Sequence, residues 1–355
     1  MLVYTKKGGF SMKKTLSRTI PILIMFFLML TLAACGTAQP AQSAGPKNQE
    51  TQGTQETASE PMTIKVGVPT APPALPVLHM METKALGENV NIELSIWDEP
   101  ETLIAMVQDG EHALFAFPLT VVSKLYNKGL DVRLMNVNTW GVTYFLTSDP
   151  DIKEWQDLKG KTVYVPLQSS PPDALTQYFL HEAGLEAGKD LEIIYASTPE
   201  IATLLASGKA AYATLIEPQV TRALLANPQL RIAFSFEEEW QRVNATDTKI
   251  PNAGFGTTQK FIDAYPELTA QFQEAYAQST QWANENPEQM GELAEKYLGL
   301  KKELVAKALP SMGLTFQSAQ DSKTELKMFY ELLWNFEPSM IGGKVADDGL
   351  YYGGK

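Results

Sequence analysis

Two hydroxyl-bearing residues, Ser169 and Ser170, stand between an apolar run and a segment with helical periodicity. The apolar run covers residues 162–166 (TVYVP) and predicts a strand, while residues 173–183 predict a helix that Gly184 ends. Ligands in open α/β sheets meet the carboxyl ends of strands, and free N–H groups at a helix N-terminus attract oxyanions. The loop therefore predicts a binding site for a carboxylate, sulfonate or phosphate, formed by Gln168, Ser169 and Ser170.

The same loop has a purely structural interpretation. Ser170 can act as an ordinary N-cap, with Asp173 as the acid of a capping box. Pro171 and Pro172 also remove two amide donors, which weakens the anion interpretation and leaves hydroxyls and fewer backbone groups. We favour ligand contact because of the position at a strand end.

An acidic residue, Glu217, follows the predicted strand 212–216 and is held by Pro218. If its carboxylate faces a cleft, it favours a ligand amine, ring N–H or hydroxyl. An acid at the start of a helix explains the same position equally well, since it complements the helix dipole.

Two further loops follow predicted strands. Residues 70–74 contain Pro72 and Pro73, and they form either a cleft wall or only a stiff turn. Residues 117–120 contain Thr120, which is placed to face a cleft or only to cap a helix.

Aromatic residues at or near strand ends are further candidates for a cleft lining, although most aromatic residues in such a chain are core. Those included in the predicted ligand site are Trp97, Phe117, Trp140 and Tyr144.

The single cysteine of the 355-residue chain, Cys35, cannot form an internal disulfide. Basic residues, an apolar run over residues 20–34 and two alanines precede it, which is typical of a secretory signal peptide. Residues 32–35 (LAAC) resemble a bacterial lipobox, so we expect Cys35 to be lipidated. The alternative is an uncleaved N-terminal anchor with an incidental cysteine.

The chain before and after Cys35 divides into three parts. The signal peptide is predicted over residues 1–34, and we expect Met12 to be the biological start because Met12-Lys13-Lys14 is a typical beginning of a signal peptide. Residues 35–60 form the lipidated end and a tether rich in Thr, Gln, Ala and Ser, which lacks the apolar surface to fold. A lipid and a tether place the remaining chain near the outer face of a membrane.

The composition excludes several classes of function. A formal net charge of −12 argues against nucleic-acid binding, which needs a basic face. One cysteine cannot build a thiol-rich metal site, and His79, His112 and His181 show no metal-ligand spacing. No metal and no cofactor are expected.

From residue 61 onward, short apolar runs alternate with helical patterns, and the alternation restarts at residue 162. Strands separated by helices predict βαβ units and mainly parallel sheets. Residues 261–336 read as mostly helical, and the glycine-rich end, 341–355, reads as loosely ordered.

Several stretches resemble one family. They are IKVGV at 64–68, WGVTYFLTS at 140–148, WQDLKGKTV at 155–163, and residues 252–268, which run from NAGFG to YPEL. With the lipobox and tether, they resemble the solute-binding lipoproteins of ABC importers, in the branch that carries nitrate, sulfonates, taurine and thiamine-precursor pyrimidines.

The resemblance implies a type II periplasmic-binding-protein fold, in which each lobe is a mainly parallel sheet flanked by helices, with a helical C-terminal part. Lobe one would comprise residues 61–144 and 252–355, and lobe two residues 145–251. Trp140 would then lie beside one hinge linker, and Asn252 at the return into lobe one would join the ligand site.

The function implied is capture of a small solute, delivered to an ABC permease and its ATPase, by a monomer anchored to the bacterial membrane. A sulfonate, taurine or nitrate suits Ser169 and Ser170, whereas a pyrimidine or an amine suits Glu217. The alternatives are a lipid-anchored enzyme or a sensor or recognition subunit on the same fold. No G-x-S-x-G, H-E-x-x-H or Walker-type string favours the enzyme.

Overall fold

Residues 61–353 are described by the structure, a computed structural model, and they form two β-sheets with helices packed around them. The signal-peptide, lipidation and tether predictions concern residues 1–60 and lie outside the described residues. The predicted α/β class is confirmed.

The first half of the chain begins with alternating strands and helices, as the sequence pattern predicts. These elements are β1 (Met62–Val68), α1 (Ala74–Glu82), β2 (Val90–Ile96), α2 (Pro100–Asp109), β3 (His112–Pro118), α3 (Leu119–Asn127), β4 (Val132–Leu134) and β5 (Asn136–Trp140). After Gly141 and Val142 the chain leaves this sheet.

The middle of the chain forms the second sheet. Its elements are β6 (Thr143–Thr147), a 3-10 helix (Trp155–Leu158), β7 (Thr162–Val165), α4 (Pro171–Glu182), β8 (Glu192–Tyr195), α5 (Thr198–Ala206), β9 (Tyr212–Ile216), α6 (Gln219–Ala226), β10 (Arg231–Ser235) and α7 (Phe236–Asn244).

The chain then returns to the first sheet. It forms β11 (Pro251–Thr258), α8 (Gln259–Ala264), α9 (Pro266–Glu285), α10 (Pro287–Leu298), α11 (Lys302–Ala308), β12 (Leu314–Ser318) and α12 (Lys323–Phe336), with 3-10 helices at Leu309–Ser311, Pro338–Ile341 and Asp348–Leu350. None of the helices within residues 61–353 is both long enough and apolar enough to cross a bilayer.

The two sheets are mixed rather than mainly parallel. The seven-stranded sheet has the order β12-β5-β11-β3-β1-β2, with β4 also paired to β11, and the five-stranded sheet has the order β10-β6-β9-β7-β8. In the first, β1 pairs in parallel with β2 and β3, but β11 runs antiparallel to β3, β4 and β5. In the second, β6 runs antiparallel to β9 and β10. The first strand after each crossing, β6 in the second sheet and β11 in the first, therefore runs antiparallel to the strands beside it.

We call the seven-stranded sheet with its helices the first lobe, and the five-stranded sheet with its helices the second lobe. The first lobe buries an apolar core between its sheet and helices α1 and α9, which includes Val66, Phe255 and Tyr276. In the second lobe, Trp155 stacks on Phe234 with ring centroids 4.7 Å apart. Burial of such large side chains is the main stabilising term in each lobe.

Two crossings connect the lobes, one at residues 141–142 and one at residues 245–250. They lie side by side, because the Gly141 N–H donates to the Ile250 carbonyl oxygen at 3.0 Å. Gly141 has a positive φ of 56°, and a Cβ there would collide with the Glu237 carboxylate. Glycine at this crossing therefore allows the Glu237 side chain to lie directly against the backbone.

Candidate functional site

A cleft lies between the two lobes, at the carboxyl ends of strands from both sheets. This is the position at which α/β sheets bind ligands. The first lobe contributes the loop after β1, the residues after β2, the end of β3 and the start of β11. The second lobe contributes the loops after β7, β8 and β9. The lining residues are Pro69, Thr70, Ala71, Pro72, Pro73, Trp97, Asp98, Ala116, Phe117, Pro118, Thr139, Val142, Leu167, Ser170, Pro171, Pro172, Thr198, Pro199, Ile216, Glu217, Gln219, Asn252 and Ala253.

Ser170 is fully buried in this lining, and its hydroxyl has no hydrogen-bond partner among the described residues. It precedes α4, but the hydroxyl makes no capping bond to the helix. The predicted N-cap bond of Ser170 is therefore absent. A buried hydroxyl without a partner is costly, so it is an open position for a ligand atom.

Asp173, in the first turn of α4, bonds instead to the loop that precedes the helix. One of its carboxylate oxygens accepts a hydrogen bond from the Ser169 N–H at 2.7 Å, and the other accepts from Gln177 Nε2 and the Tyr195 hydroxyl. Burial raises the pKa of the Asp173 carboxyl, while these three bonds lower it. The first turn of α4 therefore already contains a negatively charged group, the Asp173 carboxylate, at the place where a ligand anion would bind.

Trp97 lies directly after β2 and is 3% exposed. Its indole Nε1 has no hydrogen-bond partner within the described part of the chain. An indole N–H only donates, so this atom needs an acceptor that residues 61–353 do not provide. Trp97 belongs to the first lobe and Ser170 to the second, and both line the same cleft.

Glu217 lies between β9 and α6 and is also buried, at 3% exposure. Its two carboxylate oxygens accept hydrogen bonds from the Thr221 N–H at 3.0 Å and the Thr221 hydroxyl at 2.9 Å. Burial raises the pKa of the Glu217 carboxyl, and the bonds from Thr221 oppose this rise. The carboxylate therefore caps α6 while it faces the cleft.

The predicted site residues divide by position. The seven that line the cleft are Pro72, Pro73, Trp97, Phe117, Ser170, Glu217 and Asn252. The five that lie outside this lining are Thr120, Trp140, Tyr144, Gln168 and Ser169. Asn252 also joins the lobes, because its Nδ2 donates to the Thr143 hydroxyl at 3.4 Å.

Thr120 and Ser169 connect the lobes rather than line the cleft. The buried Thr120 hydroxyl donates to the Ser169 carbonyl oxygen at 2.9 Å. Ser169 has a positive φ of 62° and Leu167 one of 54°, so the loop turns sharply here. The neighbouring Gln168 points away and is exposed.

Trp140 and Tyr144 line a different cavity, behind the crossings. The Trp140 indole donates to the Thr315 carbonyl oxygen at 2.9 Å, and its side chain is 5% exposed. The Tyr144 hydroxyl donates to the Ser311 carbonyl oxygen at 3.4 Å. Both side chains bond to the first lobe instead of the cleft.

Five polar lining residues were not among the predicted site residues: Thr70, which lies in the predicted loop 70–74, and Asp98, Thr139, Thr198 and Gln219. Asp98 directly follows Trp97 at a strand end, so the strand-end rule would have found it. Thr139 lies inside a strand, and nothing in the sequence indicates which face of that strand meets the cleft.

The charged residues of the cleft lining are all acidic. Its charged residues are the exposed Asp98 and the buried Glu217, and none of the described residues that line it is Lys, Arg or His. Proline, phenylalanine and other apolar side chains supply most of the remaining wall.

Comparisons with known proteins agree with this architecture. Residues 87–290, more than half of the chain, match the family model described as "NMT1/THI5 like". A curated protein of Bacillus subtilis (strain 168), named "Putative binding protein YtlA", is 23% identical over 267 residues, which cover 72% of this chain and 70% of the relative.

Solved structures share the fold. An ABC transporter protein from Parabacteroides distasonis aligns with a TM-score of 0.69 and 23% identity, over 82% of this chain and 98% of the other. The alkanesulfonate-binding protein SsuA from Xanthomonas axonopodis pv. citri, bound to MOPS, aligns with a TM-score of 0.63 and 16% identity, over 82% of this chain and 96% of the other.

These matches confirm the resemblance inferred from residues 64–68, 140–148, 155–163 and 252–268. The fold is the two-lobe fold of periplasmic binding proteins. The chain belongs to the "NMT1/THI5 like" family.

Proposed function

We propose that this protein is the extracytoplasmic solute-binding component of an ABC importer, and that it captures a small solute in the cleft. The observation that carries this proposal is a pair of buried polar atoms, Trp97 Nε1 and Ser170 Oγ, which lack partners among residues 61–353 and belong to residues that line one cleft from opposite lobes. A solute that accepts hydrogen bonds from both atoms binds best when the lobes are closed. Its differential affinity then drives closure.

The crossings at residues 141–142 and 245–250 support a hinge. Two adjacent connections between two compact lobes allow rotation about a common axis, which is a frequent way of closing a domain around a ligand. Gly141 lies in the first crossing and bonds to Ile250 at the end of the second. Few other backbone groups need to change their dihedral angles when the lobes move.

Closure is tested by small-angle X-ray scattering on the purified protein. Compounds are first selected by thermal shift from sulfonates, nitrate, taurine and pyrimidines, and we expect a bound compound to reduce the radius of gyration. Ser170→Ile is the matched control, since its side chain fills the cleft and should prevent both binding and compaction. A radius of gyration that stays constant with every bound compound would contradict the proposal.

Delivery to a permease extends this proposal, and the ABC transporter named among the structural neighbours supports it. Lipidated Cys35 and the tether, residues 36–60, would keep the protein close to the permease. We propose that the solute is released chemically unchanged. Removal of the protein should abolish uptake of the bound compound by cells, and mass spectrometry of solute recovered from the protein should return the compound that was added. Recovery of an altered compound would favour the enzyme alternative.

A further inference from the structure

We infer that the cleft selects an uncharged, ring-bearing solute over anions, and that Trp97, Ser170 and Glu217 determine this selectivity. This inference rests on the proposed function. The solute presents a hydrogen-bond acceptor to Trp97 Nε1 and Ser170 Oγ and an N–H or O–H group to Glu217. Sulfonates, carboxylates and nitrate are excluded by the charge of the cleft, although one structural neighbour is an alkanesulfonate-binding protein.

The first argument concerns the helix N-termini that face the cleft. In the second lobe, helices α4, α5 and α6 begin at its wall, and free N–H groups at such ends bind anions. In α4, residues Pro171 and Pro172 carry no N–H, and the Asp173 carboxylate already occupies the first turn. In α6, the Glu217 carboxylate accepts the bond of the Thr221 N–H. In α5, Pro199 carries no N–H and Glu200 lies in the first turn. All three helix ends of the second lobe at the cleft are therefore accompanied by acidic side chains of the chain itself, which oppose their positive charge.

The second argument concerns the missing counter-charge. No Lys, Arg or His stands among the cleft-lining residues that the structure describes, while Asp98 and Glu217 do. The basic residue nearest in the chain to this part of the lining, Arg222, is exposed and donates to Gln219 Oε1 at 3.2 Å. An anion that enters this cleft loses its water and meets two carboxylates, which costs more free energy than two neutral donors return.

The third argument concerns the two atoms without partners. Both Trp97 Nε1 and Ser170 Oγ donate, and neutral acceptors such as a ring nitrogen or a carbonyl oxygen satisfy them at no charge cost. The flat walls of Phe117, Pro118 and Pro172 suit a ring, because they offer apolar area without further polar demands. Glu217 retains unused lone pairs and accepts a donor of the same ring.

The test compares compounds of matched shape and different charge by isothermal titration calorimetry. Nicotinamide is paired with the anion nicotinate, and benzenesulfonamide with the anion benzenesulfonate, while 4-aminopyrimidine is a third uncharged probe that is compared with both anions. We expect at least one uncharged probe to bind, and its anionic partner to bind at least tenfold more weakly. An anion that binds more tightly than its uncharged partner overturns the inference, and so does the failure of all three uncharged probes.

Substitutions identify the residues responsible. Trp97→Phe and Ser170→Ala each remove one donor and should weaken binding of the uncharged probe about fivefold, with little loss of stability because neither donor has a partner in the described part of the chain. Trp334→Phe is the matched control, since Trp334 is 47% exposed and is not part of the cleft lining. Equal affinity in Trp97→Phe, Ser170→Ala and the wild type would overturn the assignment of the two donors.

Two further variants separate charge from structure. Glu217→Gln should weaken binding of the uncharged probe. Arg222→Ala should not affect binding, and loss of anion binding in Arg222→Ala would identify a counter-ion and overturn the inference. If an anion binds and compacts the protein, the proposed function stands and only the inference fails. If no compound of either class binds, both fail.

Discussion

The Thr120 hydroxyl of the first lobe donates a 2.9 Å hydrogen bond to the Ser169 carbonyl oxygen of the second lobe. Because the two residues belong to different lobes, this bond would break if the lobes separated. Under the proposed function, it would therefore stabilise the closed form together with the bound solute.

Removal of this bond should favour the open form. Thr120→Val keeps the shape of the side chain, and we expect solute affinity to fall by about threefold to tenfold, since one such bond contributes about 0.5–1.5 kcal/mol. Calorimetry measures the change. Thr280→Val is the control, because Thr280 is buried in α9 and bonds only to Tyr276 of its own helix. Equal affinity losses in the two variants would show that Thr120 acts through general stability.

Gly141 should tolerate no side chain. Gly141→Ala places a Cβ at a positive φ and against the Glu237 carboxylate, so we expect the free energy of unfolding to fall by about 2–4 kcal/mol. Gly208→Ala has a φ of 70° but no atom within 4 Å of the added Cβ, and it should lose only about 1 kcal/mol. Urea denaturation measures both. Similar losses would mean that Glu237 moves aside easily.

Solute affinity should depend on pH through Glu217. Burial raises the pKa of this carboxyl above its reference value of 4.5, so protonation begins at a higher pH than in an exposed glutamate. As the pH falls through the raised pKa, Glu217 loses acceptor capacity and affinity for an N–H donor falls. Titrations between pH 7 and pH 4 measure this.

The same shift has a consequence for stability with a defined sign. Because the pKa of Glu217 is higher in the folded protein than in the unfolded chain, its contribution to the free energy of unfolding is most favourable below pH 4.5. That contribution decreases as the pH rises through the folded pKa. Glu217→Gln should flatten both the affinity profile and this part of the stability profile. An unchanged pH dependence of affinity in Glu217→Gln would assign the effect to another group.

Trp140 should matter for stability rather than for affinity. Its indole donates to the Thr315 carbonyl oxygen and lies outside the cleft lining. Trp140→Phe leaves that carbonyl without its partner, and we expect the free energy of unfolding to fall by about 1–3 kcal/mol, with solute affinity within twofold of the wild type. A loss of affinity at unchanged stability would place the ring in contact with solute.

Cys35 should hold the protein at the membrane, although it lies outside the described residues. Cys35→Ser cannot accept a thioether-linked lipid, so the protein should move from the membrane fraction to the soluble fraction on cell fractionation. Cys35→Ala serves as a second thiol-free variant. Retention of both variants in the membrane fraction would indicate an uncleaved N-terminal anchor.

Local patterns predicted most of the secondary structure because hydrophobic period and turn residues are local. They missed β11, whose sequence PNAGFGTT has low strand propensity. A Cβ at Gly254 would collide with the Asn136 carbonyl oxygen, and one at Gly256 would lie 2.6 Å from the Arg133 carbonyl oxygen. Only glycine fits at these two positions because the neighbouring backbone approaches so closely. Tertiary packing therefore explains the glycines, and local sequence patterns do not.

The prediction of a loosely ordered C-terminal end was wrong for the part that the structure describes. Leu350 is fully buried, Tyr351 forms a bridge with Leu134, and the Tyr352 N–H donates to the Leu134 carbonyl oxygen. Glycines suggested a tail, but apolar residues between them pack against the first lobe. Composition alone does not reveal such a partner.

For the site, the strand-end rule located the loops that line the cleft, including those of Pro72, Trp97, Ser170 and Glu217. It did not decide side-chain direction. Trp140 ends β5, yet its ring points to the back of the crossings, since the pleat and register of a strand fix which face each residue occupies. The register and the face that each residue occupies are set by pairing with strands that are distant in the sequence.

The position of β11 also affects the order in which the two sheets can form. This strand lies in the interior of the seven-stranded sheet, between β3 and β5, although it begins only at residue 251. The strands of the second sheet, by contrast, form one uninterrupted stretch from Thr143 to Ser235. During synthesis, the second sheet can therefore be completed first, while the N-terminal strands of the first sheet wait for a segment made more than a hundred residues afterwards.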